Sequence, residues 1–145
     1  MDAQKVQLVQ QSFEQVAAMG LPAAALFYAE LFAIDPSLQD MFSGNMQDQH
    51  KKLLAALALV IRSLNNPEKI IPPVQQLAVK HVDYGVLPEH YTLVGNALLR
   101  TLKKAFGEQF TPELRGAWTD AFRMLAQVMK DAAYGDAKAG ARSVA

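Results

Sequence analysis

The sequence predicts an all-α domain of about six to seven helices. Apolar residues recur three and four positions apart along most of its 145 residues. Prolines and glycines stand where these periodic segments start and stop, as is typical of helix ends. No segment alternates apolar and polar residues strongly enough to predict a strand. Because 51% of the residues are apolar and 19% charged, the chain can bury a sizeable core as one domain.

Composition excludes several classes of function. Fourteen basic residues balance fourteen acidic ones, which gives no electrostatic reason for nucleic acid or an anionic membrane as partner. The absence of cysteine excludes disulfides and thiolate metal sites, and it suits a reducing compartment such as the cytoplasm. The N-terminus lacks the basic flank and apolar run of a signal peptide, and no run approaches the ~20 apolar residues that span a bilayer.

The first two helices are predicted on either side of Gly20. Asp2 caps the first helix, whose apolar face carries Val6, Val9, Phe13 and Val16. Leu21-Pro22 starts the second, AAALFYAELFAI, which is apolar around most of its circumference and is therefore expected to be buried. Tyr28 lies within it. A buried phenol needs a hydrogen-bond partner, and a backbone carbonyl is the ordinary one.

A break at Asp35-Pro36 precedes a short helical turn that ends at Phe42. A long helix is then predicted from about Met46 to Leu64, before Asn65-Asn66-Pro67 and the connector EKIIPP. Gln49 shares its face with Met46 and Leu53, whereas His50 is rotated by about 100°.

The segment from Pro73 to Gly85, PVQQLAVKHVDYG, is predicted to be a helix that carries one histidine on an apolar stripe. Val74, Leu77, Ala78 and His81 share one face, and Tyr84 lies about one turn further on. His81 is thus either an ordinary core or surface histidine or the single protein ligand of a metal or haem.

Two helices are predicted to complete the fold. The first runs from about Glu89 to Phe106, with Tyr91, Val94, Leu98, Leu102 and Phe106 inward, and Gly107 ends it. The second begins at Thr111-Pro112 and places Trp118, Phe122, Leu125 and Met129 at core spacing. The domain is expected to occupy residues 1–134, with a disordered tail at 135–145.

The sequence has no phosphate-binding glycine loop, metalloprotease motif, calcium loop or nucleophile elbow. The spacing of His50, His81 and His90 matches no zinc signature, and His90 is expected at the surface. An inward histidine in an apolar helical fold suits a bound cofactor better than a hydrolytic site.

Taken together, five segments resemble a globin over about residues 3–132. These are LFYAELF with Tyr28, DPSLQDMF with Pro36 and Phe42, AVKHVDYGV with His81, HYTLVGNALL, and GAWTDAF. The order and spacing are similar to those of bacterial single-domain haemoglobins and the globin domain of flavohaemoglobins, and the distal region is also similar to neuroglobin.

The resemblance implies haem b (iron protoporphyrin IX) as cofactor, with His81 as proximal iron ligand. It implies that Phe42 packs on the porphyrin, that Tyr28 and Gln49 are distal hydrogen-bond donors, and that Leu53 is the apolar distal contact. His50 replaces Gln49 if the register shifts by one residue. The expected cleft is lined by Phe42, Leu53, Leu77, Val94 and Met129.

One departure from these relatives concerns the proximal side. The resemblance implies that a tyrosine and a glutamate polarise the proximal histidine. Tyr91 matches the tyrosine, but Ala133 stands where the glutamate is expected, and Asp131 and Tyr134 have the wrong spacing. A backbone carbonyl near Leu77 is therefore the expected partner of the second ring nitrogen of His81, and strongly electron-donating chemistry is not expected.

Three functions follow from the resemblance. The first is reversible binding of oxygen, with slow release, and of other diatomic gases such as NO and CO, for storage, transport or sensing. The second is nitric oxide dioxygenase activity for nitric oxide detoxification, with electrons from a separate reductase, because 145 residues leave no room for a flavin domain. The third is a haem-free signalling module of the same fold.

Overall fold

The computed structural model describes the backbone of residues 2–42, 44–83 and 89–144, and side chains among them except at 67, 70, 82, 83 and beyond 133. In these ranges the chain forms six α-helices and two short 3-10 helices, and no strand. The α-helices are α1 (Ala3–Met19), α2 (Leu21–Ile34), α3 (Met46–Arg62), α4 (Pro67–Asp83), α5 (His90–Phe106) and α6 (Pro112–Val144). The 3-10 helices are Pro36–Met41 and Gly107–Gln109. The predicted all-α class is confirmed.

Local signals place most helix ends where the sequence predicts them. The Asp2 side chain accepts a hydrogen bond from the Lys5 backbone N–H at 2.8 Å, and Asn45 caps α3 through the Gln47 N–H. Gly20 adopts a φ of 69°, which glycine reaches without a Cβ clash. This residue separates α1 from α2, whose axes differ by 102°.

The start of α4 differs from the prediction. The helix begins at Pro67, so the expected connector is helical and the prolines at 72 and 73 lie inside it. Each proline removes one backbone donor, leaving the carbonyls of Glu68 and Lys69 without helical partners. Both of these residues are exposed, so water can replace the lost bonds. The predicted helix end at Gly85, and Tyr84 beside it, lie outside the described residues.

Two apolar clusters form the interior. The first joins residues of all six α-helices, and its most deeply buried large side chains are Val9, Phe13, Ile61, Val74 and Leu102. The second surrounds Tyr28 on α2 and includes Phe27, Leu31, Leu38 and Ala97. Helix α2 packs mainly on α5, and α4 mainly on α6, and Leu98 of α5 packs against both clusters.

Polar contacts that the sequence does not reveal tie distant helices together. Glu30 on α2 is only 6% exposed and pairs with Lys104 and, at 3.9 Å, with Arg100 of α5. The indole Nε1 of Trp118 donates to the Ser12 hydroxyl at 2.9 Å, and that hydroxyl donates to the Leu8 carbonyl at 2.8 Å. The indole N–H of Trp118 and the hydroxyl of Ser12, which are buried where α1 packs on α6, therefore both have hydrogen-bond partners.

The helical backbone of α6 continues to Val144, through the segment for which the sequence predicts a disordered tail. The division of the chain at residue 134 stays a prediction. Among the described residues, no single helix is long and apolar enough to cross a membrane. Only the bent pair α1 and α2 meets that criterion when taken together.

Candidate functional site

The stripe on α4 that carries His81 faces inward as its spacing predicts. Val74 and Ala78 are buried and Leu77 and His81 are half-buried, whereas the neighbours between them are exposed at Gln75, Gln76, Val79 and Lys80. His81 therefore sits at the border between the interior and the surface, on the last described turn of α4.

The hydrogen bond that His81 makes determines which of its ring nitrogens carries the proton. Its Nδ1 lies 2.6 Å from the Leu77 carbonyl oxygen, one turn earlier on the same helix. A carbonyl oxygen only accepts hydrogen bonds, so Nδ1 carries the proton. In the neutral ring the lone pair then belongs to Nε2, the nitrogen that a metal would take. The backbone partner expected from the sequence is confirmed.

Tyr28 lies at the centre of a group of aromatic rings. Its ring contacts Phe27 and Phe42 edge-on, at centroid distances of 5.2 and 5.3 Å, and Phe32 at 5.9 Å. The side chain is 7% exposed, and burial raises the pKa of its hydroxyl to about 12. The phenol is therefore a neutral O–H donor throughout the physiological pH range.

A fourth ring reaches Tyr28 from α3, and it belongs to His50. The two rings are stacked, with centroids 5.4 Å apart and planes inclined by 26°. Gln49 is half-buried, as is His50. The structure thus places His50, the alternative to Gln49, in contact with Tyr28. The role of Gln49 as distal donor stays a prediction.

Four of the five predicted cleft residues divide between the two clusters, and Leu77 belongs to neither. Phe42, Leu53 and Val94 pack against the cluster around Tyr28, which brings residues of α2, α3 and α5 together. Met129 packs against the other cluster, and Leu77 lies on α4 beside His81. A small apolar cavity of about 30 Å³ lies between the clusters, with Phe27, Leu53 and Leu98 among its walls.

Tyr91 is buried in the first turn of α5, and the charge beside it is positive. The Lys130 Nζ of α6 lies 5.8 Å from the centre of the Tyr91 ring. Ala133 is half-buried, and Asp131 is exposed and accepts a hydrogen bond from Gln127. The side chain of Tyr134 lies outside the described residues. The contact with Lys130 joins two helices, so periodicity within either one does not predict it.

The described side chains offer no alternative metal centre. No group of three or more histidine, aspartate or glutamate side chains comes together among them. His90, which is expected at the surface, is half-buried at the start of α5. Among the described side chains, His81 is therefore not part of a three-residue metal cluster.

An all-α fold, a half-buried histidine on the inward stripe of α4 and a buried aromatic cluster around Tyr28 define a helical protein with a candidate cofactor site. The family model described as Globin matches residues 25–129. The chain belongs to the globin family.

The relatives point to one branch of this family. A flavohemoprotein of Bordetella parapertussis is 36% identical over 106 residues, covering 71% of this chain and 26% of the relative. Flavohemoprotein B of Dictyostelium discoideum is 30% identical over 128 residues, covering 88% of this chain and 30% of the relative. The chain thus spans less than a third of the length of these relatives.

Solved bacterial structures share the fold along nearly the whole chain. An engineered carbene transferase, from a Rhodothermus marinus protein provisionally assigned as a nitric oxide dioxygenase, superposes with a TM-score of 0.85. It is 26% identical, and the match covers 97% of this chain and 99% of the other. A globin of Campylobacter jejuni gives a TM-score of 0.82 at 25% identity, with 94% and 99% covered.

Proposed function

We propose that this protein is a haem-binding globin that reversibly binds oxygen and other diatomic gases. The observation that carries the proposal is the hydrogen bond from the Nδ1 of His81 to the Leu77 carbonyl, because Nε2 would then be the nitrogen that holds the iron. Flavohemoproteins among the relatives support haem b as the cofactor. When bound, haem would supply an iron that can bind a diatomic gas.

Residues from several elements of the chain would hold the haem. His81 would hold the iron from α4. Phe42, Leu53 and Val94 would give the apolar surface that excludes water from the macrocycle. Burial of this surface supplies much of the binding free energy, at roughly 25 cal/mol per Å² of apolar area.

Tyr28 would act on the gas as a hydrogen-bond donor. Because burial raises the pKa of its hydroxyl to about 12, the group keeps its proton at neutral pH. A neutral phenol can donate to a ligand that carries partial negative charge, which oxygen develops more than CO does. Gln49 would be a second donor, and each hydrogen bond is worth about 1 kcal/mol net.

The experiment is a comparison of gas release by the wild-type protein and Tyr28→Phe, both loaded with haem. We expect the oxygen dissociation rate to rise by about fivefold or more in the variant, and CO release to change less. Equal oxygen dissociation rates would remove Tyr28 from the site. Failure of the wild type to take up haem would contradict the proposal as a whole, and would favour the haem-free signalling module.

Nitric oxide dioxygenase activity is the second candidate, favoured by the flavohemoprotein relatives and by the Rhodothermus neighbour. The reaction combines nitric oxide, dioxygen and one electron to give nitrate. A flavin-dependent reductase would supply the electron. Sustained nitrate formation with such a reductase distinguishes the enzyme from a gas carrier, which would stop after one turnover. Either activity is consistent with a cytoplasmic location.

A further inference from the structure

The ring of Tyr28 is enclosed by rings from three separate parts of the fold. Phe27 and Phe32 belong to the same helix as Tyr28 and therefore move with it. Phe42 follows the first 3-10 helix and meets Tyr28 edge-on. His50 is the ring that comes from α3, and it lies nearly face to face with the phenol, at an interplanar angle of 26°.

This stack joins the two helices that carry the proposed distal groups. Tyr28 lies on α2, and Gln49 and Leu53 lie on α3 to either side of His50. Met46 and Leu53 also pack against the Tyr28 cluster, but their flexible side chains do not define the plane of a neighbouring ring. A planar imidazole at 5.4 Å restricts both the tilt of the phenol and the distance between α2 and α3 at this point.

We infer that His50 is a positioning residue, whose imidazole packs on Tyr28 and fixes the orientation of the phenol in the gas site. The inference rests on the proposed function and assigns His50 a role that uses the face of its ring. In this role a phenyl ring can replace the imidazole, whereas an aliphatic side chain cannot. A direct hydrogen bond from His50 to the gas would require the ring nitrogens, so the two roles make different predictions.

The experiment compares His50→Phe, His50→Leu and Tyr28→Phe, with Lys51→Leu as the matched control on the exposed side of α3. Oxygen dissociation and the C–O stretching band of the CO form are measured for each haem-loaded variant. We expect His50→Leu to release oxygen about fivefold faster and to give several C–O bands, because the phenol takes more than one orientation. His50→Phe and Lys51→Leu should remain within about twofold of the wild type.

A double variant tests whether His50 acts through Tyr28. If it does, adding His50→Leu to Tyr28→Phe produces no further acceleration. Rates that multiply in full would show that His50 acts independently and would overturn the inference. The inference also fails if His50→Leu behaves as the wild type, or if His50→Phe releases oxygen as fast as His50→Leu.

A measurement without haem separates this inference from the proposed function. In protein carrying ring-labelled tyrosine, NMR should show cross-relaxation between the Tyr28 and His50 rings. His50→Leu should broaden or split the Tyr28 signals, and His50→Phe should keep them single. Unchanged signals in His50→Leu would overturn the positioning role, even where the wild type binds haem and oxygen as proposed. If the wild type does not bind haem, the proposed function fails, but the NMR comparison still tests whether His50 positions the Tyr28 ring.

Discussion

The Nδ1 of His81 lies 2.6 Å from the carbonyl oxygen of Leu77, so the backbone of α4 determines which ring nitrogen carries the proton. A neutral carbonyl withdraws the proton less than a carboxylate does. His81 is therefore expected to be an ordinary neutral ligand rather than one with strong anionic character. This agrees with the half-buried Ala133 at the position where the resemblance implies a glutamate.

The first prediction concerns this protonation state. In haem-free protein, at a pH where the His81 ring is neutral, the proton should reside on Nδ1 because the Leu77 carbonyl accepts from it. Nitrogen-15 NMR of labelled histidine distinguishes the two tautomers directly. A proton on Nε2 would contradict the assignment of that nitrogen to the iron.

The second prediction concerns stability at high pH. Burial raises the pKa of Tyr28 from 10.0 to about 12, so the folded state binds more protons than the unfolded state between these values. The free energy of unfolding should therefore fall as pH rises from about 10 to about 12, by about 2–3 kcal/mol. Tyr28→Phe should lack this part of the decline. The measurement is urea denaturation of both proteins across that range, and parallel curves would contradict the prediction.

The third prediction concerns the buried hydrogen bonds between α1 and α6. Ser12→Ala leaves the Trp118 N–H without its acceptor in the interior, which should lower the free energy of unfolding by about 1–3 kcal/mol. Thr119→Ala is the matched control, because its hydroxyl makes a solvent-accessible bond to the Arg115 carbonyl. Denaturation of both variants tests the difference. An equal effect of the two substitutions would show that the Ser12–Trp118 bond contributes little.

The fourth prediction compares two helical glycines. A Cβ at Gly95 would lie 2.6 Å from the Phe122 ring, whereas a Cβ at Gly116 would meet nothing within 4 Å. Gly116→Ala should therefore stabilise the protein by roughly 0.5–1 kcal/mol through helix propensity. Gly95→Ala should lose that gain and destabilise the protein, because Phe122 must move and the α5–α6 contact must open. Equal melting temperatures for the two variants would contradict the close approach of these helices.

The sequence predicts those parts of the fold that depend on local chemistry. Helix ends at Asp2, Gly20 and Gly107 follow from capping and from glycine conformation, and the inward face of α4 follows from helical spacing. The start of α4 is not predicted, because two prolines normally indicate a break. In α4 the carbonyl groups that lose their donors belong to exposed residues. Water can bind these groups, so the helix continues through the two prolines.

The features that the sequence does not predict are contacts between side chains of different helices. The stack of His50 on Tyr28, the pairing of Glu30 with Lys104 and the contact of Lys130 with Tyr91 each join residues from different helices. Periodicity assigns a residue to a face of its own helix, but it does not say which side chain on the opposing helix lies there. This is why the sequence identifies Tyr28 as a candidate and leaves Gln49 and His50 as rivals on α3.

The central claim is that His81 holds haem iron, and the most direct measurement is the absorption spectrum of haem-loaded His81→Gly with and without added imidazole. We expect the wild type to bind one haem with a sharp Soret band. The variant should show a shifted and broadened band that returns to the wild-type position and shape when imidazole occupies the vacated position. His90→Gly, which removes another half-buried histidine, should keep the wild-type spectrum. A wild-type spectrum in His81→Gly without imidazole would contradict the claim.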